Sequence, residues 1–159
     1  MANCIESALS QGIRLFRLYP AEQGWTMAHS VFVRATELLN ASAIRAVLVE
    51  DQFRNIITLR NLLSDHIAII TSPHFYSMSE WMDELFKLPE VYLTIRRLQG
   101  PGVISDIVQN HGSDRLLYAS DTPLGSTGAI NRMLASEPGY EGLLDRIWEN
   151  GNKILEGRV

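Results

Sequence analysis

The chain has 159 residues, enough to bury a sizeable core, and 46% of them are hydrophobic against 20% charged. A net charge of −4 argues against the basic patch that nucleic-acid binding needs. One cysteine, Cys4, excludes an internal disulfide and a cysteine-rich zinc site. It fits a reducing compartment. The N-terminus lacks a basic region followed by an apolar run, and no apolar stretch approaches the roughly 18 residues of a membrane span. A cytoplasmic protein with no membrane partner is expected.

In chain order, residues 3–10 read as a helix. IRLFRLYP (13–20) reads as a strand, entered from Gly12 and stopped by Pro20. Val31, Phe32, Ala35, Leu38 and Leu39 form a helical stripe. AIRAVLVE (43–50) is the second strand. Phe53, Ile56, Ile57, Leu62 and Leu63 form the next stripe, and IAIITSP (67–73) the third strand. Met78, Trp81, Met82, Leu85 and Phe86 lie on one helical face, with Ser77 and Glu80 before it as a capping box. VYLTIRR (91–97) is the fourth strand. Gly100-Pro101-Gly102 opens a helix through Val103, Ile104, Ile107 and Val108, with Pro101 at its first position and Gly112 closing it. RLLYASD (115–121) is the fifth strand. Tyr140, Leu143, Leu144, Ile147 and Trp148 mark the last helix.

Strand starts fall roughly 24 to 30 residues apart, with helices between them. Short, continuous apolar runs suit strands covered on both faces, so the sheet is expected to be parallel. A doubly wound sheet and part of a (βα)8 barrel both fit; a full barrel, at about 250 residues, does not.

In either case the chemistry belongs at the carboxyl ends of the strands. There stand Arg17, Tyr19 and Pro20, then Trp25; Glu50 and Asp51; Ser72, Pro73 and His74; Arg96 and Arg97; and Asp121. A carboxylate and an imidazole meeting on that face can hold a divalent metal. Zinc takes both donors and acidifies its bound water. Arginines can grip a substrate carboxylate with two parallel hydrogen bonds.

Each residue also has a plainer reading. Asp121 before Thr-Pro suits an Asx turn. Glu50 and Asp51 suit the N-cap region of a helix starting near Gln52. His29, His66 and His111 suit solvated polar positions. The loops QGPG (99–102) and LGSTGA (124–129) each precede a helix, where N–H groups can bind phosphate. Neither carries Gly-Lys-Ser/Thr, and tight turns are the better reading.

The last third holds a more specific pattern. HGSDRLLYASDTPLGS (111–126) resembles the last-strand motif of the amidohydrolase-related metal-dependent hydrolases, in which Gly-x-Asp-Arg and a hydrophobic run lead to Ser-Asp-x-Pro. IAIITSPHFY (67–76) is similar to that family's sixth strand, GIRLFRLYP (12–20) to its fourth, and IWENGNKIL (147–155) to its closing helix. The resemblance covers the C-terminal five of the family's eight βα units. It implies a parallel five-stranded (βα)5 partial TIM-barrel-like sheet, with 1–159 as a single α/β domain. It also implies a hydrolase or carboxy-lyase acting on a small carbonyl or carboxylate substrate.

By position, Asp121 matches the last-strand aspartate, a metal ligand and general base. His74 matches the sixth-strand histidine, which orients or protonates substrate beside the metal. Glu50 stands where the family has its fifth-strand histidine. The implied metal set is therefore Asp121, His74 and Glu50, with zinc as the metal, and Arg17, Arg96 and Arg97 hold substrate. The first-strand His-x-His is absent, and Arg14 and Arg17 stand where a carbamate lysine would. These departures keep a second function in view, a non-catalytic half-barrel that binds a partner. An open five-stranded piece exposes two edges and an inner face. That implies a homo-oligomer, a second chain, or a sheet covered by its own rearranged helices.

Overall fold

Five strands run parallel in one sheet, in the order β1-β2-β3-β4-β5: β1 Leu15–Leu18, β2 Ala46–Val49, β3 Ala68–Thr71, β4 Val91–Thr94 and β5 Leu116–Leu117. This computed structural model describes residues 2–24, 26–50, 53–72, 81–98, 100–120, 125–139 and 141–158. The helices are α1 Ala2–Ser10, α2 Pro20–Gln23, α3 Ser30–Asn40, α4 Phe53–Leu62, α5 Met82–Lys87, α6 Val103–His111, α7 Thr127–Ala135 and α8 Leu143–Glu156. The sequential strand order decides between the two architectures. A doubly wound sheet reverses direction at a switch point, whereas this one advances by one neighbour each time, as a barrel does.

Alternation along the strands sorts the side chains into two layers. Val47, Val49, Ile69, Val91, Leu93 and Leu116 pack against helix residues Phe32, Leu39, Ile56, Leu85, Ile104 and Ile147. Ala46, Ala68, Ile70, Tyr92 and Leu117 form the other, inner face, and Ile154 from the end of α8 is buried among them. Ile154 covers part of this face, while Leu15, in register with Ala46 on β1, is 42% exposed.

Several elements depart from their expected bounds. Pro20 does more than stop a strand: it begins α2, where its missing N–H is harmless. The fourth strand ends at Thr94, and Ile95–Arg97 form a 3-10 turn. Pro101 precedes α6, whose N-cap is Gly102 at φ 77°. Within the stretch read as a tight turn, α7 already starts at Thr127, capped by the Ser126 hydroxyl accepting from Ala129 N at 3.3 Å. Trp148 is 59% exposed, because the buried stripe of α8 runs Leu143, Ile147, Asn150 and Ile154. Gly112 closes α6 at φ 78°, as its position implied. The capping box at Ser77 and Glu80, and Met78, lie outside the described residues.

The N-terminus of α6 carries an anion from the chain itself. Glu137, 5% exposed, accepts from Gly102 N at 3.1 Å and from Ser105 N at 3.0 Å. This carboxylate fills the N-terminus of α6, the place a phosphate would take, and ties the end of α7 to it.

Two motif residues are explained by packing. Arg115 Nη1 donates to the carbonyls of Phe86, at 3.0 Å, and Leu88, at 2.7 Å, and so closes the end of α5. Tyr92, on the inner face, donates its hydroxyl to Glu90 at 3.0 Å. Burial first, then that bond and the Glu90 charge, push its phenol above the ordinary range. A phenol raised in the folded state stabilises fully below its unfolded value of about 10. That contribution is lost as pH climbs above it, because the unfolded chain releases the proton first. Urea titrations at rising alkaline pH should show stability falling, and Tyr92→Phe should flatten that fall. An equal slope in both proteins would exclude Tyr92 as its source.

Candidate functional site

The carboxyl edge of the inner face is polar. Register places Arg17, Leu48, Ile70 and Tyr92 on one level. Two residues further, alternation returns Glu50, Ser72 and Thr94 to the same face. Ser72 and Thr94 are buried and share a hydroxyl–hydroxyl hydrogen bond.

Glu50 is the centre of this edge. Its side chain is 10% exposed, and both oxygens meet guanidinium groups. Arg17 Nη2 donates to Oε1. Arg96 Nη2 lies 2.5 Å and Arg97 Nη2 2.9 Å from Oε2. Arg96 is buried, at 7% exposure, whereas Arg17 and Arg97 are 40% and 35% exposed. Arg17 also lies over the Tyr19 ring, 4.7 Å from its centroid.

The 3-10 turn explains how two consecutive arginines reach one carboxylate. In an extended strand, neighbours point to opposite faces. The tighter turn after Thr94 swings Arg97 round to the side of Arg96.

The structure brings Glu50, Arg17, Arg96 and Arg97 together. Asp121, His74, Asp51, Pro73 and Trp25 lie outside the described residues. The Glu50 carboxylate is held by the arginines. His29 is not simply solvated, since its Nδ1 accepts from Val31 N at 3.2 Å and caps α3. His111 stacks on Phe86 at 4.3 Å, with its Nε2 3.2 Å from Asp83 Oδ1. His66 is exposed. The Ser72–Thr94 pair was missed by sequence reasoning. Its signal is a small hydroxyl residue in phase with the inner face, two positions after Ile70 and Tyr92.

The implied three-donor metal set meets an obstacle at Glu50. A divalent ion there would have to displace guanidinium groups and sit beside their positive charges, which repel it. Glu50 therefore does not fit as a ligand in this arrangement. Among the described residues, no three His, Cys, Asp or Glu side chains gather as a metal site.

Neither a protein-family model nor a curated protein matches this sequence. In shape the chain is similar to 5-carboxyvanillate decarboxylase from Sphingomonas paucimobilis, with a TM-score of 0.72 at 12% identity, over 98% of this chain and 62% of that one. It is also similar to Amidohydrolase 2 from Bifidobacterium longum subsp. infantis, with a TM-score of 0.56 at 16% identity, over 80% of this chain and 56% of that one. The fold is part of a (βα) barrel of the kind these structures have. A third structure is the 5-carboxyvanillate decarboxylase from Novosphingobium aromaticivorans, which holds manganese and 3-methoxy-4-hydroxy-5-nitrobenzoic acid. Its TM-score is 0.68 at 12% identity, over 98% of this chain and 61% of that one. The chain thus spans 62% and 61% of the length of the two decarboxylases. At these identities the likeness is one of fold. No helix among the described residues is long and apolar enough to cross a membrane.

Proposed function

We propose that residues 1–159 form one α/β domain, equivalent to the C-terminal five βα units of an amidohydrolase-type barrel. It binds a small carboxylate-bearing substrate at the arginine edge and acts on it as a hydrolase or carboxy-lyase. The observation that carries this reading is the position of Arg17 and Arg97. Their side chains are partly exposed, at 40% and 35%, at the carboxyl edge of a parallel sheet, where barrels place their chemistry. Arg96 anchors the same cluster from below. The aromatic acid held by the similar decarboxylase supports the substrate class.

In this reading the arginines fix the carboxylate, Asp121 acts as general base and His74 as acid/base. Asp121 and His74 are also the residues proposed for a divalent metal, zinc by donor type. Glu50 is taken out of that set and given to the arginines. A second copy or second chain is proposed to meet the open edge at β1, where Ile13 and Leu15 are each 42% exposed.

A second reading, binding without catalysis, is favoured by one observation: an arginine-held acid stands at Glu50, where the resemblance implies a histidine ligand. Turnover separates the two. The purified chain is offered aromatic mono- and dicarboxylates, with carbon dioxide release and hydrolysis followed and bound metal measured by elemental analysis. Turnover and near-stoichiometric zinc, both lost in Asp121→Ala and the zinc kept in Glu50→Gln, are the expected results. Carboxylate binding with no turnover would establish the second reading, and zinc lost in Glu50→Gln would return Glu50 to the ligand set.

A further inference from the structure

We infer that Glu50 is a positioning residue for anion binding: it holds the guanidinium groups of Arg17 and Arg97 as two arms of a clamp for a ligand carboxylate, and the clamp works without a metal ion. This rests on the functional reading above and deepens it, since it assigns recognition of the carboxylate to organic cations alone.

The geometry separates a buried strut from two open arms. Glu50 and Arg96 are 10% and 7% exposed and lie 2.5 Å apart. Arg17 and Arg97 approach from opposite sides, one from β1 and one from the turn after β4. They divide the carboxylate between them, Arg17 on Oε1 and Arg97 on Oε2. Each guanidinium has five N–H donors, and a single Nη2 contact to Glu50 is recorded for each arm. Their side chains are 40% and 35% exposed, against 7% for Arg96, so the two arms border solvent where the strut does not.

An unrestrained arginine loses much of its rotamer freedom when it binds. A carboxylate that fixes both arms beforehand lowers that cost. Tyr19 adds a second restraint, its ring centroid 4.7 Å from the Arg17 head. The same contacts disfavour a metal at Glu50, because a dication would have to break them one by one. The clamp and any metal held by other residues are therefore separable.

The test is calorimetric titration of the full chain with isophthalate, once with a chelator and once with added zinc. The expected result is the same affinity in both. Arg17→Gln and Arg97→Gln, partly exposed positions that leave Glu50 and Arg96 paired, should each weaken binding about tenfold. Glu50→Gln should weaken it by a similar factor and Glu50→Asp should recover part of the loss, with melting temperatures recorded alongside. A merely structural Glu50 would not give this split between two shortened or neutral variants of equal fold stability. Should Glu50→Gln fail to fold, the two arm variants decide. Binding that appears only with zinc, or arm variants that bind as tightly as wild type, would overturn the inference alone. No binding in either buffer would overturn the functional reading and this inference with it.

Discussion

Arg60→Ala is expected to lower the free energy of unfolding by about 3–5 kcal/mol. The Arg60 side chain is only 4% exposed. Its Nη1 donates to the Ile67 carbonyl at 3.0 Å, and its Nη2 to those of Leu63, at 2.8 Å, and Ser64, at 2.6 Å. These carbonyls belong to the end of α4 and the link into β3, where a helix has no partners of its own to offer. Alanine would take this donor from the Leu63 and Ile67 carbonyls and leave a void, while Ser64 O keeps its bond from Ile67 N at 3.0 Å, and both effects destabilise. Burial lowers the Arg60 pKa from its ordinary value, with Asp65 and Glu90 opposing that shift. Asp65 itself, 3.7 Å away and 90% exposed, adds little. Arg60→Lys keeps the charge but loses the planar fork, so it should fall between wild type and alanine. Urea denaturation measures all three. A loss below about 1 kcal/mol for alanine, the size of an ordinary surface change, would exclude Arg60 as the closure of this turn.

Asn150→Ala is expected to cost about 1–3 kcal/mol, through two lost hydrogen bonds, of which the one to Leu116 O leaves a buried carbonyl without that donor while Ser113 O keeps Leu116 N at 3.1 Å. Asn150 is 6% exposed, and its Nδ2 donates to Ser113 O at 2.9 Å and Leu116 O at 3.0 Å. These bonds pin α8 to the entry of β5. One turn later Ile154 seats on the inner face of the sheet, so the pin also sets where α8 closes that face. Asn150→Asp is the sharper variant. An ionised carboxylate only accepts hydrogen bonds, and here it would face two carbonyls. It should therefore be at least as damaging as alanine near neutral pH, and less so in acid, where the carboxyl regains a donor. Thermal unfolding of both variants across that range measures this. An aspartate as stable as wild type would mean that the two carbonyl bonds do not hold α8.

The pattern of elements was legible because it is written in local periodicity. Apolar runs marked all five strands, and the stripe through Ile104 and Ile107 marked α6. Gly112 at φ 78° marked its end for a backbone reason that acts at one residue. Where bounds slipped, a longer-range contact had intervened. VYLTIRR reads as one strand until Arg96 and Arg97 are required to meet the same carboxylate, which bends the chain after Thr94. Arg60 carries no signal of burial in the sequence, and only the carbonyls of the following turn explain its place in the interior. The helix expected after the 124–129 loop begins inside it, at Thr127, because serine and glycine serve turns and caps alike.

The candidate site divides in the same way. That Arg17, Glu50, Arg96 and Arg97 stand at strand ends follows from the sequence alone, since alternating strands and helices put those ends on one edge. What each residue touches there was decided by the tertiary structure. Glu50 suited a helix cap or a metal ligand equally well by residue type and position. Its partners lie 33 and 46 residues away along the chain, and they reach it only through the register of a parallel sheet and the turn after β4. A carboxylate takes its role from the charges around it, and that surrounding is a property of the fold.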